Sequence, residues 1–161
     1  MKLFLAYLRL IRPFNLVMIV FTLYMVRLFF LLAGNGHYQQ VSELTYALFS
    51  FAFVCIAAAG YIINDYYDIE IDKVNKPDKF IIGNVISAHA ALNIYWALNI
   101  CGIFAGFCSC YIAGVPLLAI LFLFYLIGLW FYSYKLKSAF LLGNILIGIF
   151  LALVPLGAAC I

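Results

Sequence analysis

Hydrophobic positions fall in five runs, at 14–33, 44–63, 88–107, 116–134 and 140–159, each about twenty residues long and bounded by polar or turn-forming residues. Runs of this length and apolarity predict five membrane-spanning helices, and no soluble domain, linker or repeat interrupts them. The expected architecture is an all-α polytopic membrane helix bundle forming a single membrane domain. Residues 1–12 read as an amphipathic, interfacial lead-in, with Lys2, Arg9 and Arg12 set among Leu, Phe and Tyr. Pro13 suits a first helical turn, and Pro116 opens the fourth span in the same way. Ser87 is placed to cap the third span. The loop at 34–43 carries turn residues and no Lys or Arg. Residues 80–86 are apolar but short and are broken by Gly83 and Asn84, and 108–115 reads as a tight turn. Arg27, inside the first span, is expected to snorkel toward 34–38.

One stretch departs from this pattern. Residues 64–79 hold five of the six acidic residues of the chain, directly after the second apolar run. At 3.6 residues per turn Asp65, Asp68 and Asp72 share one helix face, Asn64 joins it, and Glu70 points the other way. Like charges on one face repel, so the arrangement calls for a cation.

Composition confirms the membrane reading. Hydrophobic residues make up 69% of the chain and charged residues 9%, with a mean hydropathy of +1.17. The net charge of +3 gives no basic stripe, so nucleic acid is not an expected partner. The five cysteines lack zinc-site spacing and read as small buried hydrophobes. No cleavage site follows the first apolar run, which is expected to stay as an anchor. Eight cations, Lys2, Arg9, Arg12, Lys73, Lys76, Lys79, Lys135 and Lys137, fall on one side of the five-span topology, and the opposite loops carry none. That asymmetry predicts a cytoplasmic N-terminus and a cytoplasmic acidic stretch, on the same face as the Lys135/Lys137 loop.

An acidic helix face at a membrane surface with lysines close by suits Mg²⁺ bridging carboxylates to phosphate. Lysines would hold the remaining phosphate charge. An EF-hand pattern is absent, and His37 and His89 are not placed to serve the carboxylates as a base. Simple charge pairing in a solvated loop would account for the lysines, and positive-inside anchoring for Lys135 and Lys137. Neither accounts for carboxylates repeating on one face beside an apolar span.

Asn64-Asp65-x-x-Asp68-x-x-x-Asp72 resembles the first Asp-rich motif of the UbiA superfamily of intramembrane prenyltransferases. Three further landmarks follow the same order: Arg12-Pro13-Phe14-Asn15, Asn75-Lys76-Pro77-Asp78-Lys79, and Tyr132-Ser133-x-x-Leu136-Lys137 with Gly143-Asn144. The details resemble the branch that prenylates geranylgeranylglyceryl phosphate. The resemblance implies Mg²⁺-dependent transfer of a prenyl group from an allylic diphosphate to a lipid or aromatic acceptor in a lateral, lipid-facing chamber. By motif position it implies metal contacts at Asn64, Asp65, Asp68 and Asp72, with Asp68 and Asp72 catalytic. Lys76, Lys79, Lys137 and Arg12 become diphosphate contacts, and Asn15 lies on the acceptor side.

Two departures qualify the match. Lys79-Phe80 stands where many members have Arg-Pro, keeping the charge without bidentate geometry. The family also has about nine helices and a second Asp-rich motif, whereas here Glu43 is the one carboxylate side chain outside 64–79, expected on the opposite face. The expectation is therefore the N-terminal half of such an enzyme, inactive alone and in need of a second-half polypeptide. The alternative is a non-catalytic membrane protein or prenyl-diphosphate binding module. Aromatic residues, 19% of the chain, offer carbocation contacts at Tyr61, Tyr66, Tyr67, Phe124, Tyr125, Trp130 and Tyr132, but packing and interfacial belts explain them more simply.

Overall fold

A computed structural model describes residues 2–34, 36, 40–77, 80–139 and 141–161. Among these the chain is helical and contains no strand, only a single bridge between Ile82 and Ile86. The helices are α1 (Lys2–Ile11), α2 (Pro13–Leu32), α3 (Glu43–Tyr67), α4 (Ile69–Asn75), α5 (Ala88–Ile112), α6 (Ile120–Tyr134) and α7 (Leu142–Cys160). Short 3₁₀ turns, Pro116–Ala119 and Leu136–Ser138, lead into α6 and α7. Five segments are long and apolar enough to cross a membrane: α2, α3, α5, α7 and the Pro116–Tyr134 segment that contains α6. The protein is an integral membrane helix bundle.

The helix starts follow local chemistry. Pro13 and Pro116 occupy first-turn positions, where the missing N–H costs nothing. Ser87 Oγ accepts from Ala90 N–H, and Ser42 Oγ accepts from Thr45 N–H, so α5 and α3 begin capped. Two spans run further than the hydrophobic pattern predicts. The second continues past 63 to Tyr67, carrying Asn64 and Asp65 into α3, and the Asp68 N–H donates to Asn64 O to close its last turn. The third continues past 107 to Ile112, taking Cys108 and Cys110 into the helix, and turns only at Gly114, whose φ of +79° suits glycine. Ser109 Oγ donates back to Gly106 O, so this polar residue meets its bonding need inside the helix.

The central helix is α3. Two thirds (67%) of its apolar window is buried, against 17% for α2, and it packs on α5, α6, α2 and α1. Small residues allow the tightest crossing: a Cβ at Gly102 of α5 would come within 2.9 Å of Ile56 and 3.2 Å of Ala52 O. Two apolar clusters result. One, around Phe49, Phe53, Phe122, Tyr125 and Phe150, fills the half of the bundle away from the acidic stretch. The other, around Ala59, Ile62, Ile63 and Tyr95, lies beneath the acidic stretch, where Ala6 and Leu10 of α1 and Ile82 and Ile86 of the segment between α4 and α5 close over it.

Arg27 does more than snorkel. It is buried, donates to Val41 O at 2.9 Å, pairs with Glu43 Oε1 at 3.0 Å and lies 4.6 Å from the Tyr46 ring centroid. Most of 34–38, the target expected for it, lies outside the described residues; Glu43 and the Val41 carbonyl compensate the desolvated charge.

Candidate metal and diphosphate site

Residues 64–75 of the acidic stretch form α3's last turn and α4, joined at Asp68, and the hydrogen bonds run on through the junction: Asp72 N–H donates to Asp68 O at 2.7 Å. The helical register therefore survives, and Asn64, Asp65, Asp68 and Asp72 stay on one side. Glu70 faces away, exposed, and accepts from Lys73 at 2.7 Å. Each carboxylate of the shared face has a different cation. Arg12 Nη2 donates to Asp65 Oδ1 at 2.8 Å, Lys76 Nζ donates to Asp72 Oδ1 at 3.1 Å, and Lys137 Nζ donates to Asp68 Oδ1. Asn64 Nδ2 donates to the other oxygen of Asp68 at 3.3 Å. Two of these cations come from distant chain segments, so tertiary structure resolves the repulsion that the local sequence creates.

Backbone geometry delivers them. Arg12 sits at the elbow between α1 and α2 with φ +53°, the one non-glycine residue with positive φ among the described residues. Such a conformation costs on the order of 1–3 kcal/mol, and the ion pair with Asp65 and the Tyr61 ring 4.9 Å away hold the guanidinium in place. Lys137 lies in the turn Leu136–Ser138, which rests on the start of α7: a Cβ at Gly143 would come within 2.7 Å of Leu136 O.

Two cavities meet at Arg12. A polar cleft of 120 Å³ is lined by Arg12, Asp65, Asp72 and Lys76 with Ile69 and the 80–82 segment. An apolar chamber of 290 Å³ opens by Arg12, Asn64 and Ser133 and descends between α3, α6 and α7 to Phe53, Phe122 and Phe150. Charged groups at the mouth and hydrocarbon walls below suit an amphiphile with an anionic head and an apolar tail.

Among the described residues no three acidic, His or Cys side chains converge as a metal cage. Mg²⁺ does not need one, since one or two carboxylates with phosphate oxygens and water complete its shell. The hard oxygens of Asn64, Asp68 and Asp72, beside cations able to turn toward phosphate, fit that ion.

The structure brings together Arg12, Asn64, Asp65, Asp68, Asp72, Lys76 and Lys137. Lys79 lies outside the described residues. Asn15 is exposed and lines neither cavity. Lys135 is exposed, while Lys137 is the loop lysine that reaches the acidic face. Tyr61, Tyr125 and Tyr132 line the chamber; Tyr66, Tyr67, Phe124 and Trp130 do not. Sequence reasoning missed the chamber's phenylalanines, which in a chain with 16 of them carry no distinguishing signal.

Residues 18–161 match the model of the UbiA prenyltransferase family. Digeranylgeranylglyceryl phosphate synthase of Methanobrevibacter smithii is 31% identical over 142 residues, covering 88% of this chain and 47% of that protein. The enzyme of the same name from Ignicoccus hospitalis is 34% identical over 140 residues, covering 87% and 42%. A solved structure from work on digeranylgeranylglyceryl phosphate synthase in membranes superposes with a TM-score of 0.82 at 26% identity, over 98% of this chain and 53% of that one. The chain thus spans about half the length of the relatives it matches. With the motif residues on one face, the chamber beneath them and the family match over nearly all its length, the chain belongs to the UbiA prenyltransferase family.

Proposed function

We propose that this chain supplies the prenyl-diphosphate half of a Mg²⁺-dependent prenyltransferase that moves a geranylgeranyl group from its allylic diphosphate to a lipid acceptor, geranylgeranylglyceryl phosphate. The observation that carries the proposal is the Lys137–Asp68 pair, formed across 69 residues beside the mouth of an apolar chamber. Asn64, Asp68 and Asp72 would hold Mg²⁺, with Asp65 close behind. The ion, when bound, supplies positive charge to the leaving diphosphate. Lys137, Lys76 and Arg12 turn from their carboxylates to the diphosphate oxygens and stabilise the charge that grows as the allylic C–O bond breaks. The bonding pair leaves on the diphosphate, and the allylic cation is taken by an acceptor hydroxyl, which then loses its proton. Apolar helix walls hold the tail and keep water off the cation. The acidic stretch and the N-terminus face the cytoplasm, as the distribution of cations supports.

The chain contains one acidic cluster, and turnover needs a second, supplied by further polypeptide. Purified as 161 residues, it is expected to bind geranylgeranyl diphosphate in a Mg²⁺-dependent manner without transferring the prenyl group. Asp68→Ala should weaken that binding by about 100-fold. Mg²⁺-dependent transfer by the chain alone, lost in Asp68→Ala, would overturn the half-site reading. Binding with no turnover when a second-half polypeptide is co-expressed would favour a non-catalytic binding module.

A further inference from the structure

The deep end of the chamber is made of aromatic rings. Phe53 lies about three helical turns below Asn64 along α3, and Phe122 the same distance below Ser133 along α6, which is about 16 Å at 1.5 Å per residue. Phe150 of α7 stands higher, its ring level with Gly128, about 8 Å below Ser133 at 1.5 Å per residue. These rings brace one another: Phe53 and Phe122 meet edge-on at 5.1 Å, and Tyr125 stacks on Phe150 at 4.8 Å while its hydroxyl donates to Phe150 O.

Two glycines that do not line the chamber decide where two of the rings stand. A Cβ on Gly106 of α5 would overlap the ring of Phe122, and a Cβ on Gly128 of α6 would overlap the ring of Phe150. Both rings are almost fully buried, at 1% and 4% exposure. Phe122 is backed by Phe49 and Phe53, Phe150 by Tyr125 and Phe124. Each also lines the chamber. Interiors are close-packed, so a methyl group added at either glycine pushes the ring into the chamber.

We propose that Gly106 with Phe122, at the chamber floor, and Gly128 with Phe150, at a narrowing partway down, set the length of the prenyl tail this chain accepts. The glycines act as positioning residues through the rings. The inference rests on the chamber being the prenyl site, as proposed above. A tail that reaches the floor gains contact along its whole length, and a longer one must displace a braced ring. One methylene in an apolar pocket changes discrimination by about 10–200-fold, so selection by length needs only a small displacement.

The test uses the full 161-residue chain in lipid nanodiscs with Mg²⁺, and reads calorimetric affinities for geranyl, farnesyl and geranylgeranyl diphosphate. Gly106→Ala and Gly128→Ala should weaken the geranylgeranyl compound relative to the geranyl one by about tenfold or more. Phe122→Leu and Phe150→Leu should shift the ratio the other way, and these variants decide the matter if the alanine variants do not fold. Unchanged ratios across the folded variants would overturn the floor while leaving the binding site in place. Failure of the unsubstituted chain to bind any of the three compounds would instead overturn the prenyl-site reading, and the floor with it.

Discussion

Both ends of the bundle hold an arginine–carboxylate pair beside a tyrosine ring, yet the two are built for different ends. Arg27 is 5% exposed and lines none of the cavities described; it is fixed by Glu43, the Val41 carbonyl and the Tyr46 face. Arg12 pairs with Asp65 and lies over Tyr61, but its side chain is 44% exposed, its backbone is held at positive φ, and it borders both cavities. A charge sealed among its partners ties α2 to α3. A charge with open volume beside it can change partners, and that freedom is what a ligand needs.

The sharpest break in this comparison should come from Arg27→Ala. It removes a packed side chain and empties a buried site, so thermal or denaturant unfolding should register a loss of ~2–4 kcal/mol. Prenyl-diphosphate affinity should stay unchanged. Arg12→Gly should invert that pattern, because glycine accepts the positive φ without strain. Relief of the positive φ offsets part of the lost ion pair and the added chain entropy, so stability should change by less than ~1 kcal/mol, while Mg²⁺-dependent affinity falls by ~1.5–3 kcal/mol through loss of a charged contact. A fall in stability with affinity intact would make Arg12 a second staple.

The smallest effect concerns the other imported cation. Gly143→Ala should press on the Leu136 carbonyl, shift Lys137 and weaken diphosphate binding by ~1 kcal/mol. In a double-mutant cycle this loss should vanish in a Lys137→Met background, whereas any change in melting temperature should persist in both. Equal losses in both backgrounds would show that Gly143 serves packing alone.

Much of the acidic face was legible from spacing. Asn64, Asp65, Asp68 and Asp72 lie within a short arc of a 3.6-residue helix, and the helix continues through them. Span ends were less legible, because Asn64 and Asp65 look like loop residues until Arg12 is seen to neutralise Asp65. The extent of α5 was hidden for a related reason: Ser109 satisfies itself on Gly106 O, a local bond that hydropathy does not register. Arg27 read as a snorkelling residue because its partner Glu43 belongs to the next helix.

Five apolar spans, the face on which the carboxylates stand and the family follow from the order of residues alone, since helical periodicity, span length and motif order are properties of local chain chemistry. Which cation meets which carboxylate, and how deep the chamber runs, depend on how the helices pack. Arg12 and Lys137 are brought to Asp65 and Asp68 across 53 and 69 residues by the packing of α2 and α6 against α3. Among many phenylalanines, only the packing of α3, α6 and α7 shows that Phe53, Phe122 and Phe150 line the chamber. Those are relations between helices, and no periodicity within one helix encodes them.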